Sequence, residues 1–221
     1  MTTSKRTYED GCATAHALDL IGERWALLVV RELILGPKRF TDLRAGLPGI
    51  SPNVLTQRLE ELENGGILRR RKLAPPAAAW VYELTEWGRD LEQVIMTLGR
   101  WGARSPSLMQ GYPLSVDAVI LSFRTMFRGE SAREFKGTLE LRIGEDRFRA
   151  RVVKGALELV RGAADDPDAV LETDAGALVA LAYGGRKLND ALKAGEVKVE
   201  GDKGVVRQFF TLFPLPATVG E

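Results

Sequence analysis

A chain of 221 residues with 45% hydrophobic and 28% charged content has the balance of an ordinary soluble globular protein, and its length suits two modest domains better than one. The formal net charge of +1 argues by itself against a nucleic-acid partner, and the single cysteine excludes an internal disulfide framework and fits a reducing compartment. The opening stretch MTTSKRTYEDG lacks an apolar signal core and no run is long enough to span a bilayer, so the expected location is the cytoplasm, with no membrane partner.

Residues 1–11 are polar and read as a loose arm. Ala13 to Ile21 and Glu23 to Leu35 then read as two helices separated at Gly22. The second is apolar around much of its circumference, as a helix packed on several sides must be, with Trp25 as a core anchor. Gly36 and Pro37 make a turn, and the basic pair Lys38 and Arg39 opens the next element. Thr41 can cap a short helix to Gly46, and Leu47-Pro48-Gly49 forms a turn before Ser51. Ser51 is a good N-cap, and Pro52 suits the first helical position, where a missing N–H is no loss.

In the helix that follows, Leu55, Leu59 and Leu62 recur at spacings of four and three and share the inward face. Asn53, Thr56 and Gln57 point outward or to the flanks of the first two turns. They are polar side chains that can donate and accept, and Asn or Gln can read adenine bidentately in a major groove. Glu60, Glu61 and Glu63 occupy the later turns, where phosphate would repel them, so only the N-terminal half can lie deep in a groove. Taken alone, such a stretch is far more often an ordinary amphipathic surface helix; its neighbours decide. Ile67 to Leu73 and Ala79 to Leu84 read as two strands around a Pro75-Pro76 tip, a wing beside the helix-turn-helix. From Lys38 to Lys72 the bases Lys38, Arg39, Arg44, Arg58, Arg69, Arg70, Arg71 and Lys72 outnumber the acids Asp42, Glu60, Glu61 and Glu63. Alternation sends two of the four consecutive wing bases to each face, where they meet DNA or form a solvated strand surface. The candidate nucleic-acid contacts are therefore Lys38, Arg39, Ser51, Asn53, Thr56, Gln57, Arg58, Arg69, Arg70, Arg71 and Lys72. Thr85 caps a long helix, Glu86 to Ala103, whose Leu91, Ile95, Leu98 and Trp101 form an apolar stripe suited to a second subunit, to the intramolecular core, or to both.

Residues 12–104 resemble the HxlR-type transcriptional regulators, a winged-helix family similar to the MarR group. The resemblance is carried by Cys12, LDLIGERWALLVVRELILGPKRFTDL from Leu18 to Leu43, PGISPNVLTQRLEELENGGILRRR from Pro48 to Arg71, YELTEWG from Tyr82 to Gly88, and RWG from Arg100 to Gly102. It implies a mainly α winged helix-turn-helix with a two-stranded wing. It also implies a homodimer formed through terminal helices that binds a palindromic or near-palindromic operator in double-stranded DNA, with the helix after Ser51 in the major groove and the wing along the adjacent backbone. Some members use the cysteine at the position of Cys12 as a thiol switch, but they usually carry proline where this chain has Ala13. Lys5, Arg6 and His16 would favour the thiolate, and Glu9 and Asp10 oppose it, so Cys12 is a candidate redox thiol or an incidental one. One Cys and one His cannot close a tetrahedral zinc site within a subunit, so no metal is expected.

The helical pattern ends in SPSLMQG at 105–111, which divides the chain into a DNA-binding and dimerisation domain at 1–105 and a second domain at 112–221. The second begins with an amphipathic helix, Ser115 to Arg128, followed by strands at Gly137 to Ile143, Arg147 to Val153 and Ala156 to Arg161, joined by tight turns. A strand at Ala169 to Glu172, helices at Ala175 to Tyr183 and Leu188 to Lys193, a strand at Val197 to Val199 and a helix at Lys203 to Phe213 complete an α+β domain, a meander on which helices pack. It resembles sterol-carrier-protein-type lipid-binding domains in VLETDAGAL at 170–178, LKAGEVKVEGD at 192–202 and VVRQFFTLF at 205–213. That resemblance implies an apolar tunnel, for which Phe123, Phe127, Leu178, Leu181, Phe209, Phe210 and Phe213 are the candidate lining; the alternative is that they fill a core.

No phosphate-cradling glycine motif, nucleophile with a nearby His, or carboxylate cluster at catalytic spacing is present, and Gly184-Gly185-Arg186 is a helix break followed by a base. The expectation is a regulator without enzymatic activity or cofactor: a homodimeric repressor whose C-terminal domain senses an apolar small molecule or braces the dimer. The alternative is a lipid or small-molecule carrier that uses the winged helix as a dimerisation scaffold.

Overall fold

The computed structural model describes residues 7–108, 111–130, 132 and 135–220, and the chain packs as two compact units that divide between Ile95 and Met96. The first part of the expected N-terminal arm, and Met109 and Gln110 of the expected boundary stretch, lie outside the described residues.

The first unit contains α1 (Ala13–Ile21), α2 (Ala26–Leu33), α3 (Phe40–Gly46), α4 (Pro52–Asn64), β1 (Leu68–Lys72), β2 (Trp80–Leu84), α5 (Glu86–Arg89) and the start of α6 (Leu91–Gly102). α4 follows from its sequence: the Ser51 hydroxyl accepts from the Val54 N–H at 3.3 Å, Pro52 opens the helix, and Leu55, Leu59 and Leu62 are at most 2% exposed. They pack with Val29, Val30 and Leu33 of α2 and Leu43 of α3 in one core. α2 begins three residues later than its apolar pattern suggests. Trp25 adopts a left-handed φ of 79°, so it precedes the helix as its cap and sits half-buried at the core's edge. The expected single helix from Glu86 breaks at Asp90 into α5 and α6. α5 lies against the end of the wing: Thr85 Oγ1 accepts from the Gly88 N–H at 3.0 Å, and a Cβ on Gly88 would fall 1.9 Å from the Ile67 carbonyl oxygen, so this position requires glycine. β1 and β2 form an antiparallel pair in the register Arg69 to Glu83 and Lys72 to Trp80, and the Lys38 backbone bridges to Tyr82.

The second unit takes in the rest of α6, then α7 (Val116–Met126), β3 (Thr138–Ile143), β4 (Asp146–Val153), β5 (Ala156–Arg161), β6 (Ala169–Thr173), α8 (Ala175–Ala182), α9 (Leu188–Lys193), β7 (Lys198–Gly201) and α10 (Lys203–Phe210). Its sheet has the order β5-β4-β3-β6-β7 and is mixed, because β6 runs parallel to β3 while every other pair is antiparallel. Alternation gives the sheet one apolar face, with Leu139, Leu141, Phe148, Ala150 and Leu159 buried, and α7 and α10 pack on the sheet. The other face carries Glu140, Arg142, Arg147, Arg149 and Arg151. α10 ends at Phe210, earlier than expected, and the chain turns at Thr211 so that Leu212 and Phe213 fold back into the core.

The residues expected to line a tunnel instead fill this core. Phe123 is fully buried, stacked on Phe213 at 4.6 Å between ring centroids, with Phe209 edge-on at 5.8 Å. Phe209 and Phe213 lie 4.8 Å apart, Leu178 is fully buried and Leu181 nearly so, and Phe127 and Phe210 close the cluster's margins half-buried. Rings at these separations touch one another, which leaves no ligand-sized gap between them.

Candidate nucleic-acid interface

Ser51, Asn53, Thr56 and Gln57 are exposed along the first two turns of α4, while its leucines anchor the helix to the core. Gln57 donates from Nε2 to Glu61 Oε1 at 3.0 Å. Arg58, expected among the DNA contacts, is turned inward: it follows Leu55 by three residues and precedes Leu62 by four, so the helical period places it on the buried side. It is 7% exposed, with Nη1 2.5 Å from Glu61 Oε2 and 3.6 Å from Glu23 Oε2.

Lys38 is a second correction. Its Nζ lies 2.7 Å from Oε2 of Glu32, a fully buried carboxylate that also holds Arg31 at 2.9 Å, so Lys38 acts as a counter-ion. Glu32 in turn fills the space beside Gly46, where a Cβ would sit 2.3 Å from Oε2. Arg39 stays exposed at the start of α3, its backbone N–H donating to Asp42 Oδ2 at 3.2 Å.

The wing separates its four bases by strand alternation. Arg69 and Arg71 share one face with Glu83, which lies directly opposite Arg69, and they donate to its two oxygens at 2.8 Å and 2.6 Å. Burial pushes the Glu83 carboxyl up, but the Arg71 and Arg69 hydrogen bonds and charges outweigh it and hold the group below its ordinary value. Arg69 and Arg71, expected as DNA contacts, thus pair with the buried Glu83, while their own side chains stay 64% and 41% exposed. Arg70 and Lys72 occupy the other face, and the Arg70 guanidinium lies 4.6 Å from the centroid of Trp80, a ring that is 51% exposed. Sequence reading missed Glu83 and Trp80, and gave Glu61 only a repulsive role. The i, i+4 spacing of Gln57 and Glu61 was a usable signal for one of them, and hairpin register was the signal for the other two.

Cys12 is exposed at the N-cap of α1, where the N–H groups of Thr14 and Ala15 hold its thiol below the ordinary range. The Asp10 carboxylate accepts from the Cys12 backbone N–H at 2.8 Å, and Lys5 and Arg6 lie outside the described residues. Among the described residues no cluster of three or more His, Cys, Asp or Glu could hold a metal, and no helix is long and apolar enough to cross a membrane.

Residues 20–108 match the family model of the HxlR-like helix-turn-helix. The uncharacterized HTH-type transcriptional regulator YybR of Bacillus subtilis is 33% identical over 114 residues, which cover 51% of this chain and 91% of that protein. This chain belongs to the HxlR-like helix-turn-helix family. A second B. subtilis relative of this HxlR-like chain, the uncharacterized HTH-type transcriptional regulator YdeP, is 40% identical over 97 residues, 43% of this chain and 74% of that one. Among solved structures, the reduced form of the transcriptional regulator YodB from B. subtilis is 32% identical and covers 46% of this chain and 100% of its own, with a TM-score of 0.40. Beyond the HxlR-like segment, residues 114–218 match the family model of the alkyl sulfatase C-terminal domain.

That C-terminal domain has a cleft of about 710 Å³ away from the aromatic core's centre, lined by Glu130, Ala132, Phe135, Lys136, Val152 and Lys154, among others. Phe135 joins it to the core, its ring 6.4 Å from that of Phe209.

Proposed function

We propose that the chain is a cytoplasmic, DNA-binding transcriptional repressor that recognises a palindromic operator as a homodimer. The observation that carries this reading is the exposed polar edge of Asn53, Thr56 and Gln57 on a helix fixed to its core by three buried leucines. Such an edge offers donors and acceptors to base edges, and the exposed Ser51 and Arg39 are read as phosphate contacts. The dimer reading rests on α6, where Val94, Leu98 and Trp101 are 47%, 48% and 73% exposed on an amphipathic helix. The C-terminal domain is read as a sterol-carrier-type effector domain without a catalytic step. Any small molecule it senses would enter the cleft beside Phe135, since the phenylalanine cluster is closed.

The test is sequence-enriched DNA binding by the full-length protein at physiological salt. Asn53→Ala should cost about 1 to 3 kcal/mol on the selected operator and relax one position per half-site. An equal loss on random DNA would remove Asn53 from the base contacts.

The wing should bind phosphate through Arg70 and Lys72. Replacing either by Ala is expected to reduce the slope of log affinity against log salt by roughly one unit, on specific and random DNA alike. Arg71→Ala should reduce that slope less, because the Arg71 guanidinium is held by Glu83, a carboxylate it shares with Arg69. Titrations across a range of salt concentrations distinguish the two, and the reverse ranking would mean that the wing presents its other face.

A further inference from the structure

A run of polar contacts links Gln57, Glu61 and Arg58 on α4, and the buried Arg58 also lies 3.6 Å from the exposed Glu23. The two oxygens of Glu61 serve different partners, Oε1 accepting from Gln57 Nε2 at 3.0 Å and Oε2 facing Arg58 Nη1 at 2.5 Å. Arg58 occupies an unfavourable place, its Nε and Nη1 both buried without a hydrogen-bond partner among the described residues, so that Nη1 meets Glu61 through charge alone. Packing alone would favour an apolar side chain there. The guanidinium instead neutralises Glu61, which would otherwise be a bare carboxylate on the helix that approaches phosphate.

We infer that Glu61 decides which base Gln57 reads, holding one N–H of its amide so that only the carbonyl and the other N–H remain for the groove. This rests on the reading of Gln57 as a base contact. A free glutamine amide offers two donors and an acceptor and can turn to suit several base edges. Adenine presents N7 as acceptor and N6–H as donor, which the clamped amide matches with its remaining N–H and its carbonyl. Guanine presents two acceptors, N7 and O6, and the clamped amide has one donor left. Glu61 is thus a positioning residue that favours adenine over guanine without touching DNA. A carboxylate suits this because it is acceptor-only, so Gln57 cannot reverse its amide against it.

The experiment selects binding sites from random-sequence duplexes with the full-length wild type, Gln57→Ala, Glu61→Ala, Glu61→Gln and the Gln57→Ala/Glu61→Ala double variant, with circular dichroism to confirm folding. Both Glu61 variants should lower the adenine-over-guanine preference about tenfold at one position per half-site and leave the other positions intact. Glu61→Gln keeps the volume if the alanine fails to fold, and it relaxes the preference because an amide can also donate to the Gln57 carbonyl. In the Gln57→Ala background, Glu61→Ala should change base preference no further. If Gln57→Ala erases the adenine preference while both Glu61 variants keep it, the clamp is wrong and base reading by Gln57 stands. If Gln57→Ala leaves every preference intact, base reading by Gln57 falls, and the clamp with it.

Discussion

Phe123→Ala is expected to lower the stability of the C-terminal unit by about 3 to 5 kcal/mol, the range for removing a large aromatic side chain from a packed core. Phe123 sits at the centre of the cluster, within 6.4 Å of Phe209, Phe210, Phe213 and Tyr183 between ring centroids, and it is fully buried. No single neighbour can move to fill its volume, because each is itself held by others. The variant also separates the two readings of these phenylalanines. An apolar cavity opened by truncation stays dry and can take up a small aromatic such as benzene, which then stabilises by mass action. Benzene should therefore raise the unfolding temperature of Phe123→Ala and leave the wild type unchanged, as measured by thermal denaturation. A comparable rise in the wild type would mean that the cluster already holds an open cavity, and the tunnel would return to these residues.

Much of the DNA-facing unit was legible because its signals are local. Ser51, Pro52 and three leucines at helical spacing set the start and inward face of α4, and the structure places both where the pattern does. The start of α2 was not legible, since a tryptophan in the left-handed region runs against the steric preference of any residue with a Cβ. The roles of the arginines failed for a different reason. Charge counts along the chain do not contain the partner, and the carboxylates that claim Arg69 and Arg71 (Glu83) and Lys38 (Glu32) are set by strand register and helix packing. Glu61 was legible as a neighbour of Gln57 at i, i+4, yet its charge alone suggested only repulsion from phosphate; the buried Arg58 reverses that. In the C-terminal unit the phenylalanines were found, but hydrophobicity is the same whether a ring faces a ligand or another ring.

The second large effect is expected at Glu140, where replacement by alanine should destabilise the C-terminal unit by up to about 3 to 5 kcal/mol, the cost of breaking a buried ion pair. β5 and β6 are separated in the sheet by β4 and β3, so residues 162–168 must cross both. Hydrogen bonds tie this crossing down along its length, among them Gly162 N–H to the Arg147 carbonyl at 2.8 Å, Ala164 N–H to Glu140 Oε2 at 2.8 Å, Asp168 N–H to the Thr138 carbonyl at 2.9 Å and Thr138 N–H to Asp168 Oδ2 at 2.7 Å. Glu140 sits opposite Arg149 on the charged face and is 2% exposed, and its other oxygen accepts from Arg142 at 2.6 Å and Arg147 at 3.2 Å. Both arginines reach solvent and rehydrate once Glu140 is gone, which keeps the loss at or below this size, and the Ala164 N–H must find a new partner. Burial pushes the Glu140 carboxyl up, but the Arg142 hydrogen bond, the Ala164 N–H and the Arg142 charge together hold it below its ordinary 4.5. A carboxyl whose folded value is depressed stabilises the fold at every pH above its unfolded value, and that contribution disappears as pH falls through the folded value. The wild type should therefore lose stability from about pH 5 downward, while Glu140→Gln starts lower at neutral pH and shows a shallower acid limb. Urea denaturation across this pH range measures both curves. They should converge at low pH, where Glu140 is itself protonated, and a constant gap between them would show that Glu140 acts through volume and not through its charge.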